Sequence, residues 1–311
     1  MKIVFMGTPE FAVPSLKILV DHGYEIVGVV TSTDKYGGRG KKKLLESAVK
    51  KYAASEGLRV LQPPRLKRQS FVEELRSLEA DLQIVVAFRM LPEVVWDMPP
   101  LGSINLHGSL LPAYRGAAPI NWAVINGEKE TGLTTFKLKH AIDTGDLIDQ
   151  VSLPIGSNET AGELHDRMMP LGAELVLKTV QAVEHNAISE TPQDESKISH
   201  APKLFHENCQ INFNKPVHDV HNFIRGLSPF PGAWTTLDDL QFNIHRSIIA
   251  DDVEPRDPGT IDLSQKGEMR ISCADGVVNI LEGQLSGRKR MEIKHLLNGY
   301  TPEANSVTMD Y

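Results

Sequence analysis

Along the first two hundred residues the apolar positions switch repeatedly between a strand-like run and a helical spacing. Residues 2–6 form a short apolar run ended by Gly7, and Phe11, Val13, Leu16, Leu19 and Val20 then recur with the period of a helix packing one face on a sheet. Thr8-Pro9-Glu10 reads as the start of that helix, with a hydroxyl cap, a proline at the first helical position and an acid in the first turn. Residues 24–31 are a run rich in β-branched residues, as expected of a strand buried on both faces. The pattern then predicts a helix over about 44–55, strands over 58–61, 81–88 and 102–106, and an amphipathic helix over 69–78. Beyond these come a helix over 118–125, strands over 132–138 and 147–154, and a long helix over 160–185 with Thr160 as its candidate cap. Strand and helix alternating across short turns imply an α/β fold, a doubly wound and mostly parallel sheet of Rossmann-like type.

The pattern changes after residue 186. Ser189, Pro192, Asp194, Ser196, Ser199 and Pro202 mark a polar, extended linker. A short helix over 217–227 follows, then strand-like pieces over 232–237, 240–250, 259–263, 269–273 and 277–285 and a last helix over about 292–298. Their spacing predicts a small antiparallel β-barrel resembling the oligonucleotide-binding (OB) fold. The expected organisation is a catalytic α/β domain over 1–186, a linker over 187–204 and an OB-like domain over 205–311.

Charge and cysteine content change this picture little. The net charge of −7 argues against a generic nucleic-acid binder. Neither half hides a basic surplus: residues 1–200 carry 22 Lys/Arg against 25 Asp/Glu, and residues 201–311 carry 11 against 15. A polyanionic partner must therefore be met by local patches. Cys209 and Cys273 lie far apart and outside any Cys-x-x-Cys spacing, so they read as small buried hydrophobes in a reducing compartment. The opening Met1-Lys2-Ile3-Val4-Phe5-Met6-Gly7 does not read as a signal peptide, and no segment has the length to span a bilayer. A cytoplasmic protein is expected, and as nothing calls for an obligate oligomer, a monomer.

The chemistry concentrates where predicted strands end. Asn105-Leu106-His107-Gly108 and Asp143-Thr144-Gly145-Asp146 supply an amide, an imidazole and a carboxylate at the edge where open α/β sheets bind ligands. An amide can donate to a developing oxyanion, an imidazole can donate or exchange a proton, and a carboxylate can fix the charge and tautomer of the imidazole. That trio suits acyl transfer onto an amine without a covalent intermediate. Each part also has a plain structural reading: His107 as a core histidine, and Asp143 as ordinary turn chemistry. A dinucleotide site is excluded at Gly7-Thr8-Pro9, because no Gly-x-Gly-x-x-Gly follows and no acid ends the second strand at Val30-Thr31-Ser32. His140 and Asp143 lack a third ligand at a recurrent spacing, so no metal is expected.

Taken with Ser109-Leu110-Leu111-Pro112 and Tyr114-Arg115-Gly116-Ala117-Ala118-Pro119-Ile120-Asn121-Trp122, these motifs resemble the folate-dependent formyltransferase family. The resemblance covers the whole chain, from Phe5-Met6-Gly7-Thr8-Pro9-Glu10-Phe11 to Arg225-Gly226-Leu227-Ser228-Pro229-Phe230-Pro231-Gly232-Ala233-Trp234. It implies a transferase of one-carbon metabolism and translation initiation. The implied donor is 10-formyltetrahydrofolate, and the implied acceptor is the α-amine of methionine on initiator tRNA. Asn105 and His107 would bind the formyl oxygen and Asp143 would orient and charge-balance His107. Ser109, Leu110, Leu111 and Pro112 would line the folate pocket, and Phe88, Arg89, Met90 and Leu91 would sit against the pterin.

Two basic patches bear on the acceptor. Asp34-Lys35-Tyr36-Gly37-Gly38-Arg39-Gly40-Lys41-Lys42-Lys43 reads by composition as a solvated loop, but it follows the second strand and so overhangs the same sheet edge as His107. It resembles the inserted loop with which tRNA-formylating relatives contact the acceptor stem, which would give Arg39, Lys41, Lys42 and Lys43 that role. Arg288-Lys289-Arg290, in the barrel, is a weaker candidate for non-specific contacts. The enzymatic alternative is a sugar-nucleotide N-formyltransferase using the same donor. The basic loop and the Ala117-Ala118-Pro119-Ile120-Asn121-Trp122 run count against it. A non-catalytic folate- or RNA-binding module is the alternative from another class.

Overall fold

A computed structural model describes residues 1–37, 43–251, 253–303 and 305–307. They form two compact units, the first made of residues 1–116, 132–153 and 165–200, the second of 117–131, 154–164 and 201–311.

The sheet of the first unit has the order Leu147–Pro154, Glu130–Lys137, Ser103–His107, Leu82–Val86, Lys2–Gly7, Glu25–Val30 and Val60–Leu61. The five strands from Ser103–His107 to Val60–Leu61 are parallel, and Glu130–Lys137 lies antiparallel to Ser103–His107. The chain winds outward from Lys2–Gly7 to Val60–Leu61 and then returns to the other side with Leu82–Val86. The sheet therefore has its topological switch between Lys2–Gly7 and Leu82–Val86, and ligands of such sheets bind outside the carboxyl ends of the strands there. Residues 87–91 leave the sheet at that point, and His107 ends the neighbouring strand. Ile3, Val4, Phe5, Met6, Leu82, Ile84 and Val86 are all buried, as strands covered on both faces require.

Two expectations are corrected. Thr8 does not cap a helix. A 3-10 turn over Glu10–Ala12 intervenes and the α-helix runs Val13–Asp21, because Pro14 lacks an N–H and is tolerated only in a first turn. The helix expected over 44–55 is shorter, Ala48–Ser55, capped by the Ser47 hydroxyl accepting from the Lys50 N–H at 3.0 Å. Lys43–Leu45 instead pairs antiparallel with Lys35–Gly37 as a two-stranded ribbon. The capping expected at Thr160 is present: its hydroxyl accepts from the Glu163 N–H, and its own N–H donates to the Glu163 carboxylate, opening the helix Ala161–Glu184.

The second unit holds an antiparallel, curled barrel-like sheet in the order Ala233–Leu237, Leu240–Ala250, Val277–Leu285, Met269–Ser272 and Ile261–Asp262, with Met291–Glu292 added to Val277–Leu285. Asp238 and Asp239, both at positive φ, make the tight turn that joins the first two strands. Register shifts between Ile244 and Ser247 bend the long central strand. Phe242, Ile244, Met269, Ile271, Val278 and Ile280 meet Val220 and Ile224 of the helix Val217–Gly226 in one fully buried core. Among the described residues no helix is long and apolar enough to cross a membrane.

Candidate active site

Asn105 and His107 are two residues apart on one strand, so their side chains leave the same face of the sheet. They stand opposite Phe136 and Thr134 of the antiparallel neighbour. Asn105 is half-buried and its side-chain amide has no hydrogen-bond partner among the described residues, which leaves both N–H groups available. His107 is buried, with the Phe136 ring edge-on at a centroid distance of 6.5 Å. Its Nε2 donates to the Tyr114 carbonyl at 2.9 Å, and since a carbonyl only accepts, that nitrogen carries a hydrogen. Its Nδ1 faces the Asp143 Oδ2 at 3.8 Å, within ion-pair reach and too long for a direct hydrogen bond.

Asp143 adopts a left-handed backbone, φ 54°. Its turn is closed by the Thr144 hydroxyl donating to the Ala141 carbonyl at 3.0 Å, and its Oδ2 accepts from the Gly116 N–H at 2.9 Å. Gly145 is obligatory there: a Cβ would fall 1.5 Å from the Lys137 carbonyl oxygen. Sequence reasoning missed the other partner of this turn. Gln193, in the stretch expected to be a linker, donates from Nε2 to the carbonyls of Asp143 and Gly145 at 2.9 and 2.8 Å. Its Oε1 accepts from Nε and Nη2 of Arg115 at 3.0 and 2.6 Å. Thr191 likewise exchanges two backbone hydrogen bonds with Leu147.

The loop after His107 leaves the sheet with its buried backbone satisfied by side chains. Ser109 Oγ donates to the Ala113 carbonyl, Thr134 Oγ1 donates to the Ser109 carbonyl and accepts from the Leu111 N–H, and Gln150 Nε2 bonds both the Leu111 carbonyl and Thr134 Oγ1. Ser109 and Leu111 are buried, while Leu110 and Pro112 keep partial exposure. Gly132 makes room for Leu110, whose Cδ2 would lie 2.3 Å from a Cβ there.

The segment at the switch point divides. Leu91 is buried with Val95 in the core and Phe88 packs on that core, whereas Met90 is 71% exposed. The Arg89 guanidinium donates to the carbonyls of Pro63 and Pro64 and lies 5.6 Å from the centre of the Phe88 ring. His140, 86% exposed, faces Glu93 at 3.6 Å, away from any metal-ligating set; no group of three or more His, Cys, Asp or Glu able to hold a metal occurs among the described residues.

Of the basic loop, Lys43 is described and exposed; Arg39, Lys41 and Lys42 lie outside the described residues. The feet of its ribbon are held by Lys50, whose ammonium pairs with Asp34 before it and with Glu46 after it, the latter at 2.7 Å. Gln62 Nε2 adds bonds to the Ser32 carbonyl at 2.7 Å and to Asp34 at 2.8 Å. The hydrogen bond from Lys50 holds the Asp34 carboxyl below the usual carboxylate range, and the bond to Asp34 raises the Lys50 ammonium in turn.

Comparison with known proteins meets this geometry. Residues 1–180 match the model of the formyl transferase family and residues 203–301 that of the formyl transferase C-terminal domain. The chain belongs to the formyl transferase family. It is 50% identical over 309 residues to the methionyl-tRNA formyltransferase of Bacteroides fragilis, covering 96% of this chain and 95% of that protein. The methionyl-tRNA formyltransferase of Parabacteroides distasonis is 50% identical over 310 residues, 96% of each chain. Among solved structures, an N-formyltransferase from Helicobacter canadensis in complex with folinic acid and dTDP-3-aminofucose has the same fold. Its TM-score is 0.69 at 22% identity, with 94% of this chain and 100% of that one covered.

Proposed function

We propose that this enzyme transfers the formyl group of 10-formyltetrahydrofolate to the α-amine of methionine on initiator tRNA. The observation that carries the reading is the strand-end set of Asn105, His107 and Asp143, in a chain half identical to methionyl-tRNA formyltransferases over nearly the full length of both. The sugar-modifying alternative rests on a likeness of fold at 22% identity.

The attacking amine adds to the formyl carbon, and the oxygen that becomes an oxyanion is met by the unpartnered Asn105 amide. With Nε2 committed to Tyr114, His107 reaches the oxyanion through Nδ1, and donating from both nitrogens requires the imidazolium. Asp143, beside Nδ1, is the counter-charge for that form and takes up the proton released by the amine, directly or through one water. The tetrahedral adduct then collapses: the oxyanion re-forms the carbonyl, the bond from carbon to N10 breaks, and N10 of the departing tetrahydrofolate takes the proton that left the amine, returned from Asp143. No acyl-enzyme forms, so catalysis comes from alignment and from charge stabilisation. Leu110, Pro112 and the edge of the Ser109–Leu111 loop offer the apolar wall of a folate pocket. Residues 88–91 offer backbone groups to the pterin, the Leu91 side chain being buried in the core. Lys43 and, with it, Arg39, Lys41 and Lys42 of the basic loop meet acceptor-stem phosphates and base edges.

The test is formyl transfer from labelled donor to charged initiator tRNA and, in parallel, to a 4-amino-sugar nucleotide. Label on the tRNA alone is expected; label on the sugar overturns the substrate. Asn105→Ala and His107→Ala should each lower kcat at least about a hundredfold, the usual cost of an oxyanion donor. Near-normal turnover by either variant removes the catalytic roles.

A further inference from the structure

Three consecutive residues touch three different parts of the site. The Tyr114 carbonyl accepts from His107 Nε2, the Arg115 guanidinium grips Gln193, and the Gly116 N–H donates to the Asp143 carboxylate. The other end of the arrangement is the polar stretch that follows the long helix. It is fixed by Leu147 pairing with Thr191, by the Arg115 N–H donating to the Ser199 carbonyl and by the Tyr114 N–H donating to the Ser199 hydroxyl.

We infer that Gln193 and Arg115 form a strap that positions Asp143 against His107 during formyl transfer, so that the 191–199 stretch is part of the catalytic apparatus. The inference rests on the catalytic role proposed for Asp143. The orientation of the Gln193 amide is settled by chemistry: Arg115 can only donate, so the atom facing it is Oε1 and the NH2 faces the carbonyls of Asp143 and Gly145. Both amide hydrogens and both oxygen lone pairs are then used inside the strap, and none is left for a substrate. Gln193 is therefore a positioning residue that acts through the turn. The turn needs one, because Asp143 sits at a positive φ that non-glycine residues keep only when their surroundings over-determine it. The amide supplies two short bonds to main-chain carbonyls, on either side of Thr144, and thereby fixes the direction in which the carboxylate leaves the backbone.

Gln193→Glu tests this directly. The carboxylate keeps the shape and the grip of Arg115 but has no hydrogen to donate, so both carbonyls lose their partner. We expect kcat for Met-tRNA formylation to fall about tenfold to a hundredfold, the cost of a misplacement of about an ångström, with both KM values nearly unchanged. The deficit relative to wild type should narrow as pH falls toward the pKa of the new carboxyl, which regains a donor when protonated; a purely structural lesion has no such signature. Gln193→Met, which fills similar space without polar atoms, should lose kcat at every pH. Amide exchange over 141–146 should quicken in both variants while the rest of the chain keeps its protection. Wild-type kcat in both variants, or a loss matched by general loss of protection, overturns the strap. If wild-type enzyme leaves Met-tRNA unlabelled, the functional reading fails on its own, and exchange over 141–146 still decides whether the strap holds that turn.

Discussion

Two loops of the first unit, both leaving the carboxyl ends of sheet strands or lying against them, are held in opposite ways. The turn at 142–146 is held by short directional hydrogen bonds, from the Gln193 amide to the carbonyls of Asp143 and Gly145 and from the Gly116 N–H to the Asp143 carboxylate. The ribbon Lys35–Gly37 with Lys43–Leu45 is held at its feet by ions, Lys50 between Asp34 and Glu46. The difference follows from what each region presents. In the proposed reaction the Asp143 carboxylate meets an imidazole and an amine and needs sub-ångström placement, and short bonds to fixed carbonyls give direction. In the proposed role of the basic loop, facing a polyanion, its field must stay positive, and two acids at its base weaken that field unless a cation offsets them. Lys50 both anchors the ribbon and offsets the acids.

The sharpest break between the two comes from matched glycine substitutions. At Gly145 an added Cβ meets the Lys137 carbonyl oxygen at 1.5 Å and its carbon at 2.7 Å, main-chain atoms that cannot step aside. At Gly37 the Cβ meets the end of the Leu45 side chain at 2.4 Å, and Leu45 is 48% exposed and free to rotate. Gly145→Ala should lower kcat about a hundredfold or more by displacing Asp143, whereas Gly37→Ala should leave kcat untouched. Steady-state kinetics of the two purified variants decide this, and equal losses would erase the distinction. A smaller effect is expected at Lys50. Lys50→Met, which breaks both of its partly exposed ion pairs, should raise KM for Met-tRNA about fivefold with kcat and folate KM unchanged, and Lys50→Arg should restore it. A kcat defect in Lys50→Met would tie the ribbon to the chemistry and not to the acceptor.

How much of this the sequence carried depends on whether a feature is local. The buried parallel strands were legible because both faces are covered, so the run over 24–31 reads as strand without a partner in view, and it becomes Glu25–Val30. Asn105, His107 and Asp143 were legible as candidates because strand ends and a tight turn announce themselves in adjacent residues. The ribbon was not: Leu44 and Leu45 are both exposed, so no alternation separates a three-residue strand from the start of a helix. Nor was Gln193, which lies 50 residues from Asp143 and 78 from Arg115 in a stretch whose composition says only that it is polar. Its role comes from an amide reaching main-chain atoms of another element, and main-chain partners leave no trace in composition or periodicity. Likewise nothing local distinguishes Met90, exposed, from its buried neighbour Leu91.

The smallest effect separates the two holdings by solvent conditions alone. The strap consists of an amide, carbonyls and a guanidinium, none of which titrates in the working range. The ribbon's clamp titrates at both ends. The Asp34 carboxyl is held below its ordinary 3.8, so its contribution is complete above that value and is lost as pH falls through the depressed one. The Lys50 ammonium is raised above its ordinary 10.5, so its contribution is complete below that value and is lost as pH rises through the raised one. Between those limits pH should leave the clamp intact, and ionic strength is the lever. At about 1 M salt the screening length is roughly 3 Å, which weakens the partly exposed ion pairs of the clamp more than short hydrogen bonds to carbonyls. Amide exchange from 35–37 and 43–45, corrected for its intrinsic rate, should quicken about two- to threefold from low to high salt at neutral pH. Exchange from 142–146 should not change. A salt response shared by both regions, or absent from the ribbon, would mean that the ion pairs do not hold it and that the division between hydrogen-bonded and ion-paired support is only geometric.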